Sequence, residues 1–273
     1  PGGEAPGGGA PGGGTTGGGT TGREYVLEAD LVFDATGTYG LANALGSGGL
    51  PAPGERALDP LILRRLGDVH AFLETFRAGR VLLIGHGHSA AHALLALRDR
   101  CSRNPEVSVT WSFRSRNIRP FRETASDPLP GRDAVVSAAN ALAAAPPGFL
   151  DIRRAASVAS LEKAGPRIRV RFASGSAVEA DAIVSLTGYR PDLSFLSELA
   201  LDLSPATQGT RRLHAVFSGA TDCLAVPMPA AADLDSGEAG FYLLGAKSYG
   251  RSGAFLLRDG ILHMEMILKH AVG

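Results

Sequence analysis

The sequence predicts an α/β protein in which one Rossmann-like domain is inserted into part of a second. Three stretches predict it: a strand, glycine turn and helix at residues 81–97, and two similar acid–strand–glycine segments on either side, at residues 30–39 and 181–189. Apolar strands that alternate with helices are typical of parallel sheets covered on both faces. We expect the two flanking segments to be the joints between two interleaved domains.

The central stretch has the pattern of a dinucleotide-binding turn. A fully apolar strand is predicted over Val81–Ile84, and an Ala- and Leu-rich helix over Ala90–Leu97. Between and overlapping them lies the G-x-G-x-x-A sequence Gly85-His86-Gly87-His88-Ser89-Ala90. In such a turn the first glycine bends the chain, the second admits a pyrophosphate to the backbone, and the small third residue lets the helix pack on the strand. The pattern predicts a nucleotide site at the helix N-terminus; the alternative is an ordinary strand-to-helix turn.

The next predicted strand, Val107–Phe113, alternates with period two and completes the strand–helix–strand unit. An NAD-selective site often has an acidic residue at the end of this strand to bind the ribose 2′-hydroxyl. Here the strand is followed by Arg114, Arg116 and Arg119. An arginine suits a 2′-phosphate, so the sequence favours NADPH over NADH, with NADH still possible; the alternative is that these arginines belong to a solvated loop.

Composition excludes several classes of function. The chain of 273 residues has 27 basic and 27 acidic side chains, which gives no reason to expect nucleic acid or an anionic membrane as a partner. It has no apolar stretch long enough to span a membrane. Cys101 and Cys223 form neither a C-x-x-C pair nor a zinc ligand set, so a reduced, cytoplasmic protein is expected. Residues 1–22, with 12 glycines, predict a disordered linker.

Further elements are predicted along the chain by periodicity and by Gly and Pro positions. They are a helix over Ala134–Ala145, a hairpin of Arg167–Phe172 with Ala177–Glu179, strands over Leu213–Phe217 and Phe241–Gly245, and a final amphipathic helix over Ala254–Lys269.

Taken together, these segments resemble the flavoproteins with two dinucleotide-binding domains, the FAD-dependent pyridine nucleotide oxidoreductases. That superfamily includes flavin-containing monooxygenases and thioredoxin-reductase-like enzymes. Val81–Ala91 resembles their inner NAD(P)H turn, and Ala29–Gly40 and Asp181–Asp192 resemble their two hinge segments of Ala-Thr-Gly type. Phe241–Leu257 resembles the strand, turn and helix that return to the flavin.

The resemblance implies a Rossmann-like NAD(P)H-binding domain inserted in a partial FAD-binding domain. The NAD(P)H-binding domain would span residues 79–190, flanked by FAD-domain parts at residues 23–78, with the hinge, and 191–273. It also implies hydride transfer from NADPH to FAD, with a small-molecule substrate. Two departures stand out: the glycines at residues 7–19 have no strand or helix around them to form a FAD-binding turn before Asp30, and no C-x-x-C pair is present. The missing cysteine pair favours a monooxygenase-like enzyme, and the missing FAD turn leaves open a truncated, non-catalytic NADPH-binding module.

Several residues outside the glycine turn are candidates for cofactor binding. By resemblance, the hinge would contribute Thr36, Gly37, Thr187, Gly188 and Tyr189. Lys247, Tyr249 and Arg251 follow a buried strand, where ligands meet α/β sheets, and are candidates for flavin or substrate contact; the alternative is a solvated loop. His88 and His92 are four apart and could share a helix face, but a metal site needs a third ligand, so no metal is expected. No side-chain nucleophile is predicted. If the glycine turn is merely structural, the chain is a scaffold without a nucleotide site.

Overall fold

The computed structural model describes residues 26–124, 127–220 and 223–272. The chain divides into two units, residues 1–30 and 31–273. Residues 26–30 contain no helix or strand, and the predicted linker at residues 1–22 lies outside the described residues. All regular structure described below belongs to the second unit.

This unit alternates strands and helices in the manner that the sequence predicts. The strands are β1 (Val32–Asp34), β2 (Ile62–Leu63), β3 (Gly79–Ile84), β4 (Val107–Ser112), β5 (Leu150–Arg153), β6 (Val158–Ala164), β7 (Arg167–Phe172), β8 (Ala177–Ala180), β9 (Ala182–Ser185) and β10 (Phe241–Leu243). The α-helices are α1 (Glu55–Leu58), α2 (Leu66–Thr75), α3 (His88–Arg103), α4 (Pro130–Ala144), α5 (Arg211–Phe217), α6 (Ala246–Tyr249) and α7 (Leu257–Val272).

The central layer is a parallel sheet of five strands in the order β2-β9-β3-β4-β5. Val81–Ile84 of its middle strand β3 are buried on both faces, as their unbroken apolar sequence predicts. Val81 and Leu83 face a core shared with α2, α3 and α4, and Leu82 and Ile84 face a second core under the antiparallel sheet β6-β7-β8. The predicted α/β architecture is thus confirmed, although β2 joins this sheet from before residue 79.

A smaller parallel pair, β1 and β10, joins segments from the two ends of the unit. Val32 lies opposite Phe241, and Asp34 lies opposite Leu243. Apolar residues of α5, α6 and α7 form a separate core beside this pair. The chain therefore leaves β1 for the large sheet and comes back at β10, which is the interleaving that the two hinge segments predict.

One predicted strand is wrong. Residues 213–217 lie in α5, and Leu213 and Phe217 are buried one helical turn apart. A short apolar segment does not distinguish the two structures, and here contacts at four-residue spacing favour the helix. In the described part of the chain, no helix is long and apolar enough to cross a membrane.

Candidate functional site

The glycine turn is fixed by its backbone surroundings. Gly85 follows β3 with φ +128°, and a Cβ there would lie 2.3 Å from the carbonyl oxygen of Leu186. The indole N–H of Trp111 donates a 2.8 Å hydrogen bond to the Gly85 carbonyl. Trp111 is otherwise buried among apolar side chains of the core. Only glycine fits at position 85, and the turn is held in one place.

The helix N-terminus beyond this turn is open. Gly87 is the residue that precedes α3, no side chain caps the helix, and a Cβ at Gly87 would meet no atom within 4 Å. The first N–H groups of a helix have no intrahelical acceptor, and the helix dipole places positive potential there. Ala90 is fully buried against the sheet, as the small third position of the turn predicts. This arrangement is suited to an incoming phosphate.

A cavity of about 220 Å³ lies at the carboxyl ends of β3, β4 and β9, next to the turn. In an open α/β sheet this edge is where ligands bind. Residues from the turn, from the end of β4 and from the second hinge segment line it, among them Gly85, His86, Gly87, Arg114, Thr187 and Gly188. We call it the nucleotide cavity.

Arg114 stands at the rim of the nucleotide cavity with its side chain exposed. Within the described residues its guanidinium forms no hydrogen bond or ion pair, whereas the neighbouring Arg119 pairs with Glu123 at 2.5 Å. Burial, and then the charge of Arg114, lower the pKa of His86, which keeps that imidazole neutral near pH 7. Arg114 therefore presents an uncommitted positive charge at the rim, and the exposed Arg251 also lines this cavity.

The two hinge segments lie side by side. The Thr187 hydroxyl donates to the Asn43 carbonyl at 3.0 Å, and the Asn43 amide donates to the Thr187 carbonyl at 3.0 Å. The rings of Tyr39 and Tyr189 meet edge to face at 4.8 Å, and the Tyr189 hydroxyl donates to the Arg64 carbonyl at 2.8 Å. Sequence reasoning missed Asn43, because a single asparagine in a Gly- and Pro-rich loop carries no pattern.

A second cavity, of about 430 Å³, lies at this hinge, and we call it the hinge cleft. Gly37, Tyr189 and Ser89 all line it, which brings both hinge segments to the first turn of α3. It shares Leu186, Gly188 and Arg251 with the nucleotide cavity, so the two cavities adjoin. Arg251 is the one residue of the predicted 247–251 group whose side chain is exposed.

Lys247 and Tyr249 are placed differently from the prediction. Lys247 is fully buried, 2.6 Å from the Asp34 carboxylate, and donates to the Thr36 hydroxyl at 3.0 Å. Although burial alone would raise it, hydrogen bonds from Lys247 and Thr36 hold the pKa of Asp34 below its usual value. Neither Lys247 nor Tyr249 lines the nucleotide cavity or the hinge cleft. Lys247 thus fastens β1 to α6, and Thr36 is part of that link.

Tyr249 packs in the core beside α5 and α7. Its ring stacks on Phe217 at 4.9 Å and lies parallel to the His263 ring at 6.0 Å. Burial raises the pKa of Tyr249 to about 12. The prediction that this phenol contacts a flavin or substrate is corrected: a polar glycine-containing sequence suggested a solvated turn, but the turn folds inward as α6.

The histidines near the turn form a pair without further ligands. His88 and His92 meet edge to face at 4.7 Å, and burial, followed by the charges of His92 and Arg132, lowers the pKa of His88. Among the described residues, no three His, Cys, Asp or Glu side chains come together as a metal site would require.

No protein-family model and no curated protein matches this sequence. The structure matches LpdA from Mycobacterium tuberculosis with a TM-score of 0.54 and 19% identity, over 90% of this chain and 43% of that one. It matches the bacillithiol disulfide reductase Bdr (YpdA) from Staphylococcus aureus with a TM-score of 0.53 and 18% identity, over 89% of this chain and 62% of that one. It matches the thioredoxin reductase of T. acidophilum with a TM-score of 0.53 and 16% identity, over 87% of this chain and 64% of that one.

The chain thus spans between about two fifths and two thirds of the length of these structures. At such identities the likeness concerns fold. The chain therefore shares its fold with these solved structures.

Proposed function

We propose that this chain binds NAD(P)H at the N-terminus of α3 and acts as the nucleotide-binding part of a FAD-dependent oxidoreductase. One observation carries the proposal: the uncapped first turn of α3 opens, at Gly87, onto a cavity at the carboxyl edge of a parallel sheet. Because unsatisfied N–H groups and the helix dipole both favour an anion there, a pyrophosphate fits the residues present.

The proposal includes a preference for NADPH. Arg114 lines the nucleotide cavity at the end of β4, the position that selects between a ribose 2′-hydroxyl and a 2′-phosphate. Its guanidinium has no partner within the described residues, so a phosphate would not have to displace one. Charge-assisted bonds between arginine and phosphate are among the strong ones.

The fit to FAD is partial. The hinge cleft adjoins the nucleotide cavity and is walled by glycines and tyrosine rings, which suits a planar ring system. The chemistry that a flavin supplies is acceptance of a hydride from the nicotinamide. Ser89 and Gly188 both line the cleft and would help to position the nicotinamide ring beside the flavin ring. Among the described residues, α3 is the one long helix that directly follows a strand and a glycine turn. These residues therefore offer no second pyrophosphate site for the ADP half of FAD.

The cysteines argue against disulfide exchange within the described chain. Cys223 lies on the side of the start of α3: its sulfur accepts a hydrogen bond from Arg132 at 3.4 Å, and Arg132 is close enough to His88 to lower the pKa of that imidazole. Cys101 lies near the other end of α3, about 20 Å away at 1.5 Å per residue. Burial raises the pKa of the Cys101 thiol, which keeps it protonated.

The substrate that takes up the electrons of the reduced flavin is therefore proposed by resemblance alone. Oxygen, with hydroxylation of a small molecule, follows from the likeness to flavin-containing monooxygenases. The named structural neighbours that are reductases act, by their names, on bacillithiol disulfide or thioredoxin. In a complete protein, monooxygenase activity predicts oxygen consumption when NADPH is added, and disulfide reduction predicts NADPH oxidation that needs a disulfide.

A second candidate function is an NADPH-binding module without turnover. The observation that favours it is the single phosphate-binding turn among the described residues. Under this hypothesis NADPH binds, no flavin is retained, and NADPH is not oxidised.

The first experiment is a visible absorption spectrum of the purified chain before and after FAD is added and excess removed, followed by calorimetric titration with NADPH and NADH. A retained flavin spectrum with NADPH oxidation supports the oxidoreductase. NADPH binding by a colourless protein supports the module. Absence of binding of both nucleotides would refute the site and support the scaffold hypothesis.

A further inference from the structure

A third cavity, of about 450 Å³, lies beside the hinge and shares Tyr39, Arg64 and Tyr189 with the hinge cleft. We call it the arginine cleft. Its charged and aromatic lining consists of Arg56, Arg64, Arg65, Arg190, Tyr39 and Tyr189, with the carboxylates of Glu55 and Asp59. No residue of the glycine turn lines it, and it shares one residue, Ala44, with the nucleotide cavity.

One of the four arginines is committed to the fold. Arg64 contacts Glu55 at 2.9 Å and Asp59 at 2.6 Å, and so bridges both acids of the cleft. Glu55 is itself buried, and its carboxylate also accepts the backbone N–H groups of Leu45 and Ala52. These contacts hold the loop before α1. Arg64 is paired with both carboxylates, so its guanidinium is not available to a ligand.

The other three arginines are uncommitted. Within the described residues, the side chains of Arg56, Arg65 and Arg190 form no hydrogen bond or ion pair. The Nε–H of Arg190 is buried and has no acceptor. An unsatisfied buried donor is costly, and in native structures such a group calls for a specific explanation such as a missing ligand or water. Four guanidinium groups against two carboxylates leave the cleft with a charge of about +2, although the whole chain is neutral.

The cleft also has an aromatic wall. Tyr39 is 74% exposed although it is a large ring, and it stands edge-on against Tyr189. Because the Tyr189 hydroxyl is fixed by its bond to the Arg64 carbonyl, Tyr189 supports the Tyr39 ring, whose exposed surface is available for stacking. Tyrosine rings and guanidinium planes both stack favourably on flat conjugated groups.

We propose that the arginine cleft binds a small organic anion that carries a carboxylate on a planar, conjugated body. Arginine presents paired N–H donors that match the two oxygens of a carboxylate, and Arg190 has a buried donor without an acceptor. The cavity volume lies within the range of sites for small molecules. The positive charge would draw such an anion in, and the tyrosine pair would hold its flat part.

The test uses the full chain and three probes of known structure: benzoate, its neutral isostere benzamide, and inorganic phosphate. Binding is measured by calorimetry and by chemical-shift changes of the tyrosine ring signals. We expect benzoate to bind once per chain with a Kd of about a millimolar or tighter, and benzamide and phosphate at least tenfold more weakly. Equal binding of benzoate and benzamide, or tighter binding of phosphate, would overturn the proposal.

Variants locate the site. R65Q with R190Q should weaken benzoate binding at least tenfold, because two guanidinium partners are lost. R171Q, which removes one exposed arginine from the β7 strand, is the control and should bind benzoate as the unaltered chain does. Thermal melts of all variants show whether the fold is kept, and a double variant that stays folded and binds benzoate normally would refute the proposal.

Parallel titrations with NADPH separate this site from the proposed function. Benzoate binding in a chain that does not bind NADPH would leave the arginine cleft standing and remove the oxidoreductase. NADPH binding without benzoate binding would do the reverse.

Discussion

A negative charge at Gly87 should greatly weaken nucleotide binding without harming the fold. In Gly87→Asp the new side chain would stand at the residue that precedes α3, where a Cβ meets no atom within 4 Å. An aspartate there can accept the free N–H groups of the first turn, and replacing glycine by aspartate at this position stabilises a helix by a few tenths of a kcal/mol. The melting temperature should therefore be unchanged or slightly higher.

The cost appears only when a pyrophosphate arrives. Two unit charges about 4 Å apart repel by about 1 kcal/mol in bulk water and about 4 kcal/mol near a protein surface. Because the turn opens to solvent, we take about 1–2 kcal/mol for each of the two pyrophosphate charges. The sum of about 2–4 kcal/mol corresponds to a loss of NADPH affinity of roughly thirty- to a thousandfold.

Gly87→Asn is the matched control, since asparagine has nearly the same shape and caps a helix as well without carrying a charge. The asparagine side chain competes with the pyrophosphate for the same N–H groups, so we expect it to lower NADPH affinity by at most about fivefold. Calorimetric titration of the three proteins with NADPH decides the matter. If the aspartate variant binds NADPH as tightly as the unaltered chain, or no more weakly than the asparagine variant, the phosphate is not at the α3 N-terminus.

Three further predictions concern charge. Arg114→Gln should weaken NADPH binding about tenfold or more and leave NADH binding within about twofold, because a hydrogen bond to a charged group contributes about 1.5–3 kcal/mol; titrations in which both nucleotides lose equally would contradict this. Lys247→Met should lower the free energy of unfolding by about 3–5 kcal/mol, measured with urea, because it leaves Asp34 buried without its partner; adding Asp34→Leu should recover most of the loss. Burial lowers the pKa of His263 in the folded protein, so below about pH 6.5 the unfolded chain takes up the proton first and the free energy of unfolding decreases as the pH is lowered. Urea midpoints measured from pH 7.5 down to pH 5 should show this decrease. His263→Leu should make the decrease smaller.

The parts of the fold that sequence predicts well are those that local pattern determines. The run Val81–Ile84 can be satisfied only by burial on both faces, and Gly85 needs a backbone angle that other residues avoid. The strand, turn and helix therefore follow from neighbouring residues alone. The two hinge segments were found in the same way, because their shared sequence repeats a shared geometry.

The parts that sequence missed depend on partners far along the chain. Lys247 looks like a solvated lysine until Asp34, from the opposite end of the unit, is placed 2.6 Å away. Leu213 and Phe217 fit a strand or a helix until Tyr249 of α6 joins their core and stacks on Phe217. Composition describes the polarity of a segment, and only the fold determines whether that polarity meets water or an ion partner.

The arginine cleft makes the same point about function. Arg56, Arg65 and Arg190 lie on three separate segments, and none belongs to a recognisable motif. The hinge brings them together because the second joint lies against the first, with Ala42 bridged to Tyr189 and the Arg190 N–H bonded to the Leu41 carbonyl. A feature that serves to connect two domains thus also concentrates positive charge beside two tyrosine rings. Since the interleaved topology alone does not need three unpaired arginines at this joint, their presence there favours a ligand over a structural role.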